Sequence, residues 1–143
     1  MSRIKSLMAV ERIAEVEYPG IPDFKVQLRY LTREELTKMR NACLVTKFNK
    51  RTHQREAEVD SDKFTKLYAD KVLVNWSGLK VKHLSEFIPV ELVGVELEED
   101  IPFSKEEAID LMLSSTVFDA FITDAMGDIS TFEESKKEEE EKN

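Results

Sequence analysis

Residues 14–36, AEVEYPGIPDFKVQLRYLTREEL, restrict the possible folds more than any other stretch of the chain. Ala14, Val16 and Tyr18 alternate with glutamates, and Phe24, Val26, Leu28 and Tyr30 alternate with Lys25, Gln27 and Arg29. A period of two puts every second side chain on one face, as in a strand with one side in a core and the other in water. The intervening PGIPD, with two prolines and a glycine, cannot continue a strand, so a β-hairpin over residues 12–31 is predicted. Directly after it, the Thr32 hydroxyl can accept from the Glu35 N–H while the Glu35 carboxylate reaches back to the Thr32 N–H. This capping box starts a helix.

Leu36, Met39 and Cys43 follow at helical spacing, and the stripe is read as far as about Phe48. The polar KFNKRTHQREAEVD is predicted to be a long exposed turn or flexible hairpin. Asp60 or Ser61 caps a second helix, whose Phe64, Leu67, Tyr68, Val72 and Trp76 lie on one side and which Gly78 ends. Residues 79–103 are punctuated by Pro89, Gly94 and Pro102 into pieces that fit strand, helical turn or ordered loop alike. Ser104 and Glu107 form a second capping box, opening a helix through Ala108, Ile109, Met112 and Leu113. Beyond a break or continuation at SST, the residues Phe118, Phe121, Ile122, Ala125, Ile129 and Phe132 make the clearest helical stripe in the chain. The expected fold is α+β, predominantly α, with an N-terminal β-hairpin packed with about four helices. One domain is expected over residues 1–132, followed by a disordered acidic tail over 133–143.

Charge and composition narrow the function. The net charge of -8 argues against sequence-independent binding to a phosphate backbone, and no nucleic-acid partner is expected. The single cysteine, Cys43, cannot close an internal disulfide and suits a reducing compartment. Glu11, Arg12, Glu15 and Glu17 interrupt the N-terminal apolar residues, so no signal peptide is read, and no uncharged apolar run of roughly eighteen residues is present to span a bilayer. His53 and His83 lack zinc-ligand spacing with each other or with Cys43, and the four scattered glycines form no phosphate-cradling loop. Most carboxylates fall in helix first turns, on polar faces or in the tail, with no nucleophile and oxyanion donor beside them. No catalytic residue, metal ligand or cofactor is expected.

Candidate binding residues are of two kinds. Lys47, Lys50, Arg51 and Arg55 crowd a stretch without acid until Glu56, which reads either as a solvated loop or as an electropositive dock for an acidic protein. RNA is a poorer fit there, since only Phe48 can stack. Trp76, the sole tryptophan, reads as core or as an interface anchor. The Phe118–Phe132 stripe is core unless one face, with Phe118 and Phe121, is left for a second subunit.

The motifs VNWSGLK, IPFSKEEAIDLML and FDAFITDAM resemble the tail assembly chaperones of long-tailed (siphovirus-type) bacteriophages. In that family a helix ends at Trp-x-Gly, a variable stretch follows, and Pro-Phe-Ser/Thr opens a helix. The matching residues are Trp76, Gly78, Pro102, Phe103 and Ser104, in a mainly structural role. KFNKRTHQREAEVDSDKF also resembles family members, and the likeness spans residues 24–132, about three quarters of the chain. Where the family often has Asn, this chain has Glu107, which completes the capping box. The resemblance implies a non-catalytic protein of the host cell cytoplasm, not expected in the mature virion, with no membrane partner. It would coat the tape measure protein, keep its apolar surfaces soluble, self-associate, and help recruit the tail tube protein. The competing reading is a non-catalytic adaptor or a minor structural protein of a phage particle.

The last eleven residues, EESKKEEEEKN, hold six glutamates and three lysines. By composition such a run is a frayed helical extension or a solubilising tail. The resemblance adds a sharper expectation, because the family characteristically makes a longer second product by programmed frameshifting. Codons GAA AAA AAC for Glu141, Lys142 and Asn143 would contain the slippery heptamer A AAA AAC. The glutamate run would then be a self-repelling linker in the extended product.

Overall fold

The computed structural model describes residues 2–8, 12–128 and 131–132. A short helix, α1 (Arg3–Leu7), precedes the predicted hairpin. Its strands β1 (Ile13–Glu17) and β2 (Lys25–Arg29) pair antiparallel, with Ala14 opposite Leu28 and Val16 opposite Val26. Helix α2 (Arg33–Ala42) begins at Thr32, whose hydroxyl accepts from the Glu35 N–H at 3.2 Å. The Glu35 carboxylate meets that same hydroxyl, also at 3.2 Å.

Three helices end sooner than their apolar spacing suggests; the last of them stops at Gly127, where Asp128 turns extended, short of Phe132. α2 stops at Ala42, and Leu44–Asn49 is strand β3, paired antiparallel with β4 (Gln54–Val59). Val45 and Thr46 are β-branched and Phe48 is aromatic, so this segment favours extended backbone, and QREAEV supplies a partner of equal length. The exposed stretch read as turn or hairpin is therefore a hairpin, with its turn at residues 50–53. α3 (Ser61–Val72), capped by the Asp60 carboxylate on the Lys63 N–H at 3.1 Å, likewise stops before Trp76.

Residues Leu73–Ser77 instead form β5, which pairs antiparallel with β2 and makes a three-stranded sheet of order β1-β2-β5. Gln27 lies opposite Asn75 but Leu28 lies opposite Leu73, so β5 carries one extra residue, a bulge. In a regular strand, residues three apart face opposite sides; the bulge turns both Leu73 and Trp76 to the core. Trp76, buried and four positions after Val72, thereby imitates the next turn of the helix, which is why periodicity extends α3 too far. Gly78 accordingly does not end a helix. It follows the strand with φ +82°, so close to the 18–24 turn that a Cβ would lie 2.0 Å from the Asp23 carbonyl oxygen.

The segment from 79 to 103 combines two of its candidate structures, a 3-10 helix at Val81–Glu86 and an ordered loop. Backbone bonds from the N–H groups of Val81, Lys82 and Ile101 to the carbonyls of Glu99, Leu97 and Leu79, at 2.8–3.0 Å, tie the loop down. α4 (Lys105–Ser114) and α5 (Thr116–Gly127) follow, separated by a break at Ser115. That buried hydroxyl donates to the Phe87 carbonyl at 2.8 Å and accepts from the Phe118 N–H at 3.0 Å, so the corner is capped from both sides.

The result is a mixed α+β fold with the N-terminal hairpin followed by several helices, four of them ten residues or longer among the described residues. α3 packs on β2, β5 and α4, and α4 packs on α5. In the core, Phe87 meets Phe24 and Phe118 edge-on, with centroids 5.9 and 5.5 Å apart. Phe132 closes the far end, its ring 5.2 Å from that of Tyr30 and its carbonyl accepting from Arg12 at 3.0 Å. Ile129 and the glutamate run lie outside the described residues.

Candidate functional site

Of the residues Trp76, Gly78, Pro102, Phe103 and Ser104, Trp76 meets the 101–103 segment along a seam where β5 passes the start of α4, while Gly78 packs against the 18–24 turn. The Trp76 indole N–H donates to the Ile101 carbonyl at 2.9 Å, and its ring stands edge-on to Phe103 at 5.1 Å. Pro102 joins these two contacts in the chain, and the Ser104 hydroxyl accepts from the Glu107 N–H at 3.1 Å to cap α4. Lys105, which sequence reading passed over, donates to the carbonyls of Asp70 and Leu73 at 2.6 and 2.8 Å. It thereby satisfies orphan acceptors at the end of α3 with a cation, where the helix dipole favours one. Trp76 is buried among these groups, so its indole anchors the core and has no face to offer a partner.

The basic residues sit on the β3–β4 ribbon, which is exposed on both faces along most of its length. Lys47 pairs with Glu58 at 3.3 Å. Lys50, Arg51 and Arg55 cluster at or beside the tip without an ion pair among the described residues. The Asn49 side chain shapes this tip by accepting from the N–H groups of Arg51 and Thr52 at 2.9 and 3.3 Å. His53 holds a left-handed φ of 57° at the turn's end. Phe48 stands 58% exposed beside it.

Phe118 is not left for a second subunit, whereas Phe121 is covered only in part. Phe118 is fully buried, and Phe121 is half-buried with its ring 4.9 Å from Tyr18, because α5 turns this face onto the hairpin and Phe87. Open apolar surface lies elsewhere, in a cleft of about 430 Å³ lined by α2, α3, α4 and α5. Leu31, Leu36, Phe64, Tyr68, Met112 and Met126 line it. At its polar side Thr123 donates to Asp119 at 3.2 Å, and the Arg40 guanidinium lies 5.8 Å from the centre of the Phe64 ring. Burial pushes the Tyr68 phenol up to about 12, opposed by its hydrogen bond with Thr123 and reinforced by Asp119. The phenol is therefore neutral near pH 7, a hydrogen-bonding group and not a base. Periodicity missed this cleft because its lining comes from separate elements, each of which looks like ordinary core.

Among the described residues, no group of three or more His, Cys, Asp or Glu is placed to hold a metal ion. No helix there is long and apolar enough to cross a membrane. Residues 21–143, from the first hairpin turn onward, match the family described as YdaY prophage protein. The chain belongs to this family. It is thus phage-derived. The YdaY match takes in the aromatic seam, the ribbon and the cleft, and leaves out α1 and β1. Neither curated proteins nor solved structures show a match.

Proposed function

We propose that this YdaY-family protein is a phage tail assembly chaperone, one that binds and solubilises the tape measure protein and helps recruit tail tube subunits. The observation that carries the reading is the open apolar cleft between α2, α3 and α5. A client helix with apolar residues at i, i+3 and i+4 can lay them against Leu36, Phe64 and Met126, the helix-in-groove mode. The net charge of -8 would keep such a complex dispersed. Prophage membership and the Trp76–Ser104 seam, whose residues resemble the chaperone motif, support the same reading. On this view the protein is no enzyme and uses no cofactor, nucleic acid or membrane. It works in the host cytoplasm, self-associates, and is absent from the mature virion, while tube recruitment falls mainly to a frameshift-extended product.

Co-expression with the tape measure protein of the same prophage tests this. The expected result is a soluble complex that co-purifies with the chain and is lost on Leu36→Asp or Met126→Asp. A client that stays insoluble and unbound beside the wild-type chain overturns the reading. Detection of the chain in purified particles would make it a minor structural protein instead. Mass spectrometry of the products of the intact gene decides the frameshift: two proteins sharing this sequence are expected, and one alone removes that part.

A further inference from the structure

Two surfaces that the fold leaves open are opposite in charge and alike in apolar content. On the ribbon, the register puts Leu44, Thr46 and Phe48 of β3 on one face with Val59, Ala57 and Arg55 of β4. Leu44 is 46% exposed, and a two-stranded ribbon with an uncovered apolar face is marginal by itself. The other face closes on itself through Lys47–Glu58 and through Asn49, which donates to Glu56 at 3.1 Å. With four basic and two acidic residues, 44–59 carries +2 on a chain of -8, which leaves -10 for the rest.

The second surface is the loop 91–100, ELVGVELEED. Val93 is 93% exposed, and Val95 and Leu97 are exposed beside it. Glu98 is paired with Lys80 and Lys82 at 3.3 and 2.6 Å. Glu91, Glu96, Glu99 and Asp100 have no ion pair among the described residues. Backbone bonds to Val81 and Lys82 hold the loop in place, so this surface is formed before any partner arrives.

We infer that the basic ribbon of one copy docks on the acidic 91–100 loop of the next. Phe48 and Leu44 meet the exposed valines and Leu97, while Lys50, Arg51 and Arg55 meet the unpaired carboxylates. Each copy engages one neighbour through its ribbon and another through its loop, so the contact is head-to-tail and each added copy presents a fresh ribbon or loop; the assembly grows into an open chain or closes into a ring of more than two. This rests on the self-association in the reading above and is independent of the client.

Sedimentation velocity of the full chain over a concentration series, at about 50 mM and about 500 mM salt, tests it. Species beyond a dimer are expected, growing with concentration and shrinking with salt. Lys50→Glu/Arg51→Glu/Arg55→Glu and Glu96→Lys/Glu99→Lys/Asp100→Lys should each be monomeric with unchanged circular dichroism, since all six positions are exposed. Mixed together they should assemble again, about tenfold tighter than either alone, because a reversed ribbon now faces a reversed loop. A wild-type monomer at every concentration, assembly that stops at two copies, or a mixture that stays monomeric overturns the inference. Tape measure binding is read separately: if it fails while the mixture assembles, only the client reading falls.

Discussion

Among the described residues, two antiparallel hairpins end in opposite environments. In β1–β2, Val26 and Leu28 are fully buried; in β3–β4, Leu44 and Phe48 stand open to solvent. Strand pairing is as regular in the open ribbon as in the covered hairpin, with cross-strand partners running unbroken from Leu44↔Val59 to Asn49↔Gln54. Backbone pairing thus makes strands in both, and what separates them is a third element. β5 lies along β2, and α3 packs over both. Among the described residues, the hydrogen bonds that tie the ribbon to the rest lie at its root, where the Asp60 N–H donates to the Cys43 carbonyl at 2.8 Å and Lys63 donates to the Ala42 carbonyl at 3.1 Å. A covered hairpin shares the cooperative stability of the core, whereas an open one rises and falls on its own.

The largest expected effect tests that contrast directly. Leu28→Ala should cost about 2–5 kcal/mol in urea unfolding, while Leu44→Ala stays within about 0.5 kcal/mol at monomer concentration. Equal losses would break the comparison by showing that the ribbon is covered in the single chain. Gly78→Ala comes next: a left-handed backbone costs a non-glycine residue about 1–3 kcal/mol. The collision with the Asp23 carbonyl adds to this by prising β5 away from the covered hairpin. An alanine variant as stable as the parent would show that this close approach is not needed.

Ser115→Ala removes both a cap and the partner of the Phe87 carbonyl, with an expected loss of about 1–3 kcal/mol on the core side. Thermal unfolding measures it, and an unchanged midpoint would mean that the corner is held without the hydroxyl. Asn49→Ala should instead leave the thermal midpoint in place and speed hydrogen exchange in the ribbon alone. A global loss there would join the ribbon to the core and erase the distinction.

The smallest effect is a pH dependence. His83 Nδ1 accepts from the Lys80 N–H at 3.0 Å, and burial, with Lys82 adding to it, holds its pKa below the ordinary 6.5. The folded state then binds this proton less readily than the unfolded chain. Its contribution is complete above about pH 6.5 and declines as the pH falls below it. Urea midpoints at pH 7.5 and 5.5 should differ less in His83→Asn than in the parent; an equal difference would clear this histidine of any part.

The first hairpin, the caps at Thr32, Asp60 and Ser104, and the α5 stripe from Phe118 to Ala125 were legible in the chain, because each depends on residues two to four positions apart; Phe132 lies past the end of that helix. The seam was legible only as a motif: nothing local says that Trp76 reaches the Ile101 carbonyl. α2 and α3 were read too long because Trp76, four positions after Val72, keeps helical spacing on a bulged strand, and Cys43, four after Met39, prolongs the α2 stripe to its cap. The cleft was not legible at all, as its lining is assembled from Leu31 to Gly127.

Short-range chemistry therefore settles where backbone turns, starts and alternates, since hydrogen-bond caps and side-chain periods act over a single turn or pair of residues. Which strand lies beside β2, which aromatic faces are hidden, and which charges stay unpaired depend on partners such as Val26 and Trp76, fifty positions apart. Burial is a property of what covers a surface, and for the ribbon and the cleft no neighbour in sequence carries that information.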